Sequence, residues 1–232
     1  MADVIAIGGA AFSAEPCNLA LDRYILDQAK KPRPKVLMIP TATGDSAEYV
    51  GKFYAAYSAL DAQPAHLPLF HRTPDLRALV MGQDVIFVGG GNTKSMLAVW
   101  RAWGLPEALR EASAAGVVMA GVSAGAICWF EQGVTDSWAD RLRPLTCLGW
   151  LRGSCCPHYD GEAERRPAYH ALLSEGQITP GYAIEDGVGA HFKDGTLAAV
   201  VSKRAGARAY RVSLSEGRVF EDPLDAVFLA PC

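Results

Sequence analysis

The sequence lacks any run approaching the roughly 18 consecutive apolar residues that a membrane-spanning helix needs. It also lacks a cysteine framework. Six cysteines are scattered as Cys17, Cys128, Cys147, Cys155, Cys156 and Cys232. None makes a Cys-x-x-Cys pair or a Cys/His spacing suited to zinc, so no structural metal is expected. The adjacent pair Cys155-Cys156 reads as apolar filler in a buried strand. An excess of basic charge is missing too: 22 Lys+Arg face 25 Asp+Glu, for a net charge of −3. That excludes a sequence-independent nucleic-acid binder, which needs a basic face. The start, MADVIAIGGA, carries Asp3 and no basic segment, and reads as a strand rather than a signal peptide. Internal repeats and Pro/Ser/Gly linkers are absent. These absences leave a reduced, cytoplasmic protein without cofactor, metal, nucleic-acid or membrane partner, acting on small molecules.

What is present is ordinary for a globular chain: 232 residues, 50% hydrophobic and 20% charged. At this length about 70% of the unfolded surface is buried on folding, so no staple is needed. One α/β domain spanning 1–232 is expected. Short apolar runs alternate with helical patterns through the first 130 residues. Val4–Ile7, Val36–Ile39, Ala65–Leu69, Asp84–Val88 and Val117–Ala120 read as strands, most of them buried and parallel. Helices are expected around Leu19–Gln28, Ser46–Leu60, after Pro74, at Lys94–Arg101 and at Pro106–Ala115. This alternation implies a mostly parallel sheet with helices on both faces, a three-layer sandwich. After residue 135 one helix remains, Arg166–Leu173, among strand-like runs at hairpin spacing. Tyr182–Ile184, Val188–Phe192, Leu197–Val201, Ala209–Val212, Arg218–Phe220 and Ala226–Leu229 read as an antiparallel C-terminal extension of the same sheet.

The sharpest motif is Gly121-Val122-Ser123-Ala124-Gly125, between the strand Val117–Ala120 and an apparent helical run Ala126–Phe130. Gly-x-Ser-x-Gly in a strand-turn-helix context is how a serine nucleophile is displayed. Small flanking residues let the strained turn form, and the helix start aims free N–H groups at a developing oxyanion. A nucleophilic serine needs a base, and the base an orienting acid. Of five histidines, His66 and His71 lie in loop-like sequence, His170 in a helical pattern and His191 in a strand. His158 follows a strand end, where a loop can return over Ser123. For the acid, Asp136 competes with Glu185 and Asp186. A second glycine-rich strand end, Gly89-Gly90-Gly91-Asn92-Thr93, reads as an exposed glycine N–H serving as one oxyanion donor, with the Ala124 N–H as the other, and Asn92 is placed to contact substrate. Gly8-Gly9 reads as the end of the first strand.

At these residues the chain resembles a known family. GGGNT, GVSAGA continuing as ICWFEQGVTDS, CPHYD and YAIEDGV are similar, in order and spacing, to the peptidase E group, the aspartyl dipeptidase and cyanophycinase family of serine peptidases. The resemblance runs from about residue 4 to 201 and implies a class I glutamine amidotransferase-like fold. It implies Ser123 as nucleophile, His158 as base and Asp136 as acid, with Gly90 or Gly91 and Ala124 at the oxyanion. It also implies dipeptide substrates with N-terminal Asp, whose side chain requires a cation. Arg165, in Glu162-Ala163-Glu164-Arg165-Arg166, is the nearest match, with Arg166 one residue away; Glu185 or Asp186 would hold the amine. A cyanophycinase-type or acyl-peptide hydrolase, and a non-catalytic peptide-binding member, are the other readings. A homodimer is plausible for this family. An α/β-hydrolase fits less well, because Asp136 and His158 follow Ser123 closely and no His precedes the glycine-rich loop.

Overall fold

A computed structural model describes residues 3–230; Cys232 lies outside the described residues. Five parallel strands form the centre: β1 (Asp3–Ile7), β2 (Lys35–Ile39), β3 (Gln63–His66), β4 (Val85–Val88) and β5 (Val118–Val122). Between them run α1 (Ala20–Gln28), α2 (Ala47–Ala59), α3 (Leu76–Met81), α4 (Thr93–Trp103) and α5 (Leu105–Ala114). Strand side chains alternate between faces, and the cores follow. Ile5 and Ile7 of β1 face Leu21, Ile25, Phe53 and Tyr57 of α1 and α2. Val4 and Ala6 face the opposite core, which holds Met96, Trp100 and Leu109 of α4 and α5. Ser46 and Asp75 cap α2 and α3 by accepting from Tyr49 N and Ala78 N.

The later chain divides. β10 (Val188–Lys193) and β11 (Thr196–Ser202) extend the central sheet antiparallel from β1, as expected, and β14 (Val227–Phe228) ends it. The order across this sheet is β14-β11-β10-β1-β5-β4-β2-β3. The other strands leave it and build a second, mixed sheet: β6 (Phe130–Thr135), β7 (Arg143–Thr146), β8 (Leu151–Cys156), β9 (Gly181–Ile184), β12 (Ala209–Ser215) and β13 (Arg218–Leu224). Its order is β13-β12-β9-β8-β6-β7, with β6, β8 and β9 mutually parallel. The expectation that all later strands extend one sheet is therefore corrected. The second sheet packs on the first through Phe130 and Tyr182 against Phe192, ring centroids 5.6 and 5.1 Å apart. Its far side carries α7 (Arg165–Ser174), with Cys156, Tyr169 and Leu173 between them.

A second correction concerns the segment after the serine. The helix there, α6 (Ala124–Ile127), is one turn long, and β6 begins at Phe130. Trp129 and Phe130 are wholly buried, and the Trp129 ring lies 5.0 Å from Trp150. The apolar run gains more from the inter-sheet core than from continuing a helix. Cys155 and Cys156 are buried free thiols in β8, and burial raises both thiol pKa values.

Candidate active site

Ser123 sits between β5 and α6 with φ 55° and ψ −111°, a conformation costing about 1–3 kcal/mol for a residue with a side chain. The neighbours permit it because they are glycines. A Cβ on Gly121 would lie 2.4 Å from the Gly125 carbonyl oxygen, and one on Gly125 would lie 2.1 Å from the Val88 oxygen. The Ser123 amide donates to the Ile7 carbonyl at 3.0 Å, and its carbonyl accepts from Ala126 and Ile127. The turn is thus fastened to the end of β1 and the start of α6.

His158 comes from the second sheet, two residues past β8, and also has a left-handed backbone, φ 53°. Its Nε2 lies 2.8 Å from Ser123 Oγ and its Nδ1 2.8 Å from Asp186 Oδ1. A carboxylate only accepts, so Nδ1–H donates to Asp186 and Nε2 is left to accept from the serine hydroxyl. Asp186 follows β9, the parallel neighbour of β8, so His158 and Asp186 emerge side by side from one sheet. The Asp186 amide donates to Asp160 Oδ1 at 2.9 Å, and Arg204 binds the other oxygen of Asp160. Burial pushes the Asp160 carboxyl up, but the bonds from Arg204 and the Asp186 amide outweigh it and hold it below the usual range.

Asp136 is not the carboxylate at His158 Nδ1. It follows β6 rather than a helix, its side chain is 63% exposed, and its Oδ2 lies 3.4 Å from Arg165 Nη2. The early switch from helix to strand carries it to that arginine. Arg165 is itself 2% exposed, with Nε donating to Glu162 at 2.6 Å and Nη1 to the Val134 carbonyl at 3.0 Å. Arg166 points the other way, forks onto Glu221 and stacks on Tyr159 and Tyr210. Neither arginine is the free cation expected. Glu185 is also turned aside, accepting from the Arg208 amide and the Tyr210 hydroxyl.

The glycine-rich loop does reach the serine. A Cβ on Gly90 would stand 3.3 Å from Ser123 Cβ, and Gly91, at φ +131°, has the Ala42 carbonyl where a Cβ would go. The Gly90 amide faces the Tyr49 hydroxyl at 3.4 Å. Asn92 spends its side chain on structure: Oδ1 caps α4 by accepting from Ser95, and Nδ2 donates to the Ser137 carbonyl. Gly91, Asn92, Ser123, Asp136, Ser137, His158 and Glu162 line one cavity of about 300 Å³.

Two glycines matter more than the sequence reading allowed. A Cβ on Gly9 would lie 1.9 Å from Asp186 Oδ1 and 2.5 Å from His158 Nδ1, and one on Gly161 would lie 2.1 Å from Asp186 Oδ2. Gly9 is therefore room for the His–Asp pair and not only a strand end. The doubled glycine at residues 8 and 9 was the available signal.

A strained serine, a histidine at hydrogen-bond distance and a half-buried carboxylate behind it fit what the sequence comparisons return. The model of peptidase family S51 matches residues 4–200. The chain belongs to peptidase family S51. Within it, the chain is 53% identical over 230 residues to the uncharacterized peptidase YgaJ of Bacillus subtilis strain 168, covering 99% of this chain and all of that one. Two solved structures share the fold of this family member. A peptidase from an acI-B1 actinobacterium superposes with a TM-score of 0.74 at 17% identity, over 100% of this chain and 97% of that one. A Listeria monocytogenes EGD-e protein assigned as peptidase E gives 0.65 at 21%, over 89% and 100%. The family makes this a peptidase with a peptide substrate. Among the described residues of this peptidase, no helix is long and apolar enough to cross a membrane, and no group of three or more His, Cys, Asp or Glu is placed to hold a metal ion.

Proposed function

We propose that this peptidase hydrolyses short peptides through an acyl-enzyme, with Ser123 as nucleophile, His158 as general base and Asp186 as the orienting acid. The observation that carries this is the unbroken relay from Ser123 Oγ to His158 to Asp186, with both links at 2.8 Å. Ser123 attacks the peptide carbonyl carbon as its proton passes to His158 Nε2. Asp186 keeps Nδ1 protonated and stabilises the imidazolium that forms. The tetrahedral oxyanion is held by the Ala124 amide, which has no intrahelical acceptor in the first turn, and by an amide of the Gly90-Gly91 loop. His158 then protonates the leaving amine, the C–N bond breaks, and water activated by the same histidine releases the acid product.

The preference for N-terminal Asp that the family resemblance implies has little support at this site. It needs a cation facing the cleft, and Arg165 and Arg166 are both taken up by carboxylates of the protein. A fluorophosphonate probe followed by peptide mapping tests the catalytic reading. Labelling of Ser123 is expected, lost in S123A and strongly slowed in H158A. Unchanged labelling in H158A, or labelling elsewhere, refutes it.

A further inference from the structure

Asp136 and Glu162 stand at a neck. Both line the small cavity around Ser123, and both also line a larger open cavity of about 890 Å³ between the segment 136–144 and α7. The charge in these two spaces is one-sided. Among the described residues, no lysine or arginine lines the smaller one. The larger one adds the carboxylates of Asp140, Glu164 and Glu175. Its cations are Arg141 and Arg143, and both lie against Asp140, at 3.9 and 2.6 Å.

Arg165 lies behind the neck and lines neither space. Its one positive charge is divided between Asp136 Oδ2 at 3.4 Å and Glu162 Oε2 at 2.6 Å. Two carboxylates against one guanidinium leave about one net negative charge, carried on side chains that are 63% and 45% exposed. Because Arg165 is buried and also bonded to the Val134 carbonyl, it works as an anchor that fixes both carboxylates beside Ser123. Their other oxygens, Oδ1 and Oε1, are not the atoms it engages.

We propose that this pair selects substrates bearing a Lys or Arg side chain next to the bond that Ser123 attacks. A guanidinium or ammonium between Asp136 and Glu162 replaces water with charge-assisted hydrogen bonds. An acidic side chain in the same place meets like charge. The inference rests on the reading of Ser123 as nucleophile, and it names the substrate class for that site.

The test uses dipeptides with identical termini: Arg-Leu and Leu-Arg against Ala-Leu and Leu-Ala, and Asp-Leu and Leu-Asp. Turnover and calorimetric binding are both measured on the wild-type protein. In at least one series, kcat/KM for the arginine peptide is expected to exceed that for alanine by about tenfold, with the aspartyl peptide below alanine. E162Q and D136N should each cut the arginine-to-alanine ratio by up to about tenfold, and E162D should restore it where E162Q does not. Melting curves identify any variant that has lost its fold, in which case the wild-type ranking alone decides. Equal treatment of arginine and alanine peptides in both measurements, or preference for aspartate, overturns the proposal. If no peptide is turned over yet the arginine peptide binds best, the charge selection stands and the catalytic reading falls.

Discussion

The two sheets contribute to the site in different ways. The central sheet presents Ser123 and the Gly90-Gly91 loop at the C-terminal ends of adjacent parallel strands β5 and β4, held by βα packing and close glycine contacts. The second sheet presents His158 and Asp186 from loops after β8 and β9, held by side-chain networks such as Asp160–Arg204. The same contrast separates two buried or half-buried carboxylates. Asp22 in α1 sits in an apolar core with a Tyr57 hydroxyl at 3.1 Å and its Oδ2 unbonded. Burial pushes it up to about 6, only partly offset by Tyr57. Glu221 in β13 is also raised by desolvation, but bonds from Arg166, Tyr159 and His170 more than reverse this and bring it to about 2. One region closes on apolar contacts and strands a charge; the other satisfies its charges locally.

The largest expected effect separates the two candidate acids. D186N should lower kcat by on the order of 10³–10⁴, because the amide favours the wrong imidazole tautomer. D136N should cost far less in kcat, since Asp136 touches Arg165 and not His158. Steady-state kinetics on an uncharged dipeptide reads both, and equal losses would erase the distinction drawn between them.

Next comes the contact between the sheets. G9A should push the His158–Asp186 pair out of line and cost on the order of 10² in kcat, with misplacement rather than unfolding as the cause. Retained cooperative melting with lost activity is the expected signature; full activity would show that the loop has slack.

The smallest effects are in stability against pH. Asp22 has a folded pKa near 6 against 3.8 unfolded, so its ionisation favours the unfolded chain. Stability should fall by up to about 3 kcal/mol as pH rises from about 4 through 6, and D22N should remove that slope. Glu221 runs the other way. Its contribution is present above about 4.5 and is lost as pH falls toward 2. Denaturant titrations across this range, on wild type, D22N and E221Q, check both signs.

Sequence periodicity carried far in the first region. β1, β2, β4, β5 and helices α1 to α5 lie within a few residues of the patterns read there, because each buried strand and amphipathic helix satisfies its own local signal. It carried less far after Ile127. The run Ile127-Cys128-Trp129-Phe130 is apolar enough for either state, and the inter-sheet aromatic core decides for a strand. The carboxylate at His158 illustrates the same limit. Asp136 is near Ser123 in sequence, whereas Asp186 reaches His158 only because β8 and β9 pair across an intervening helix. No local spacing encodes that pairing. Arg165 was legible as a cation near His158, and its pair with Glu162 is local, but its contacts to Asp136 and the Val134 carbonyl depend on β6 meeting α7.

The placement of His158 and Asp186 at the ends of one sheet and of Ser123 on another has a mechanical consequence. A slip of the two sheets along their aromatic contact would lengthen the Ser123–His158 link, against the bond from the Gly187 amide to the Gly9 carbonyl that ties the Asp186 loop to the end of β1. Heat or mild denaturant should then silence the enzyme reversibly before the backbone melts. The seam through Phe130, Tyr182 and Phe192 thus bears on the reach of His158 as well as on packing.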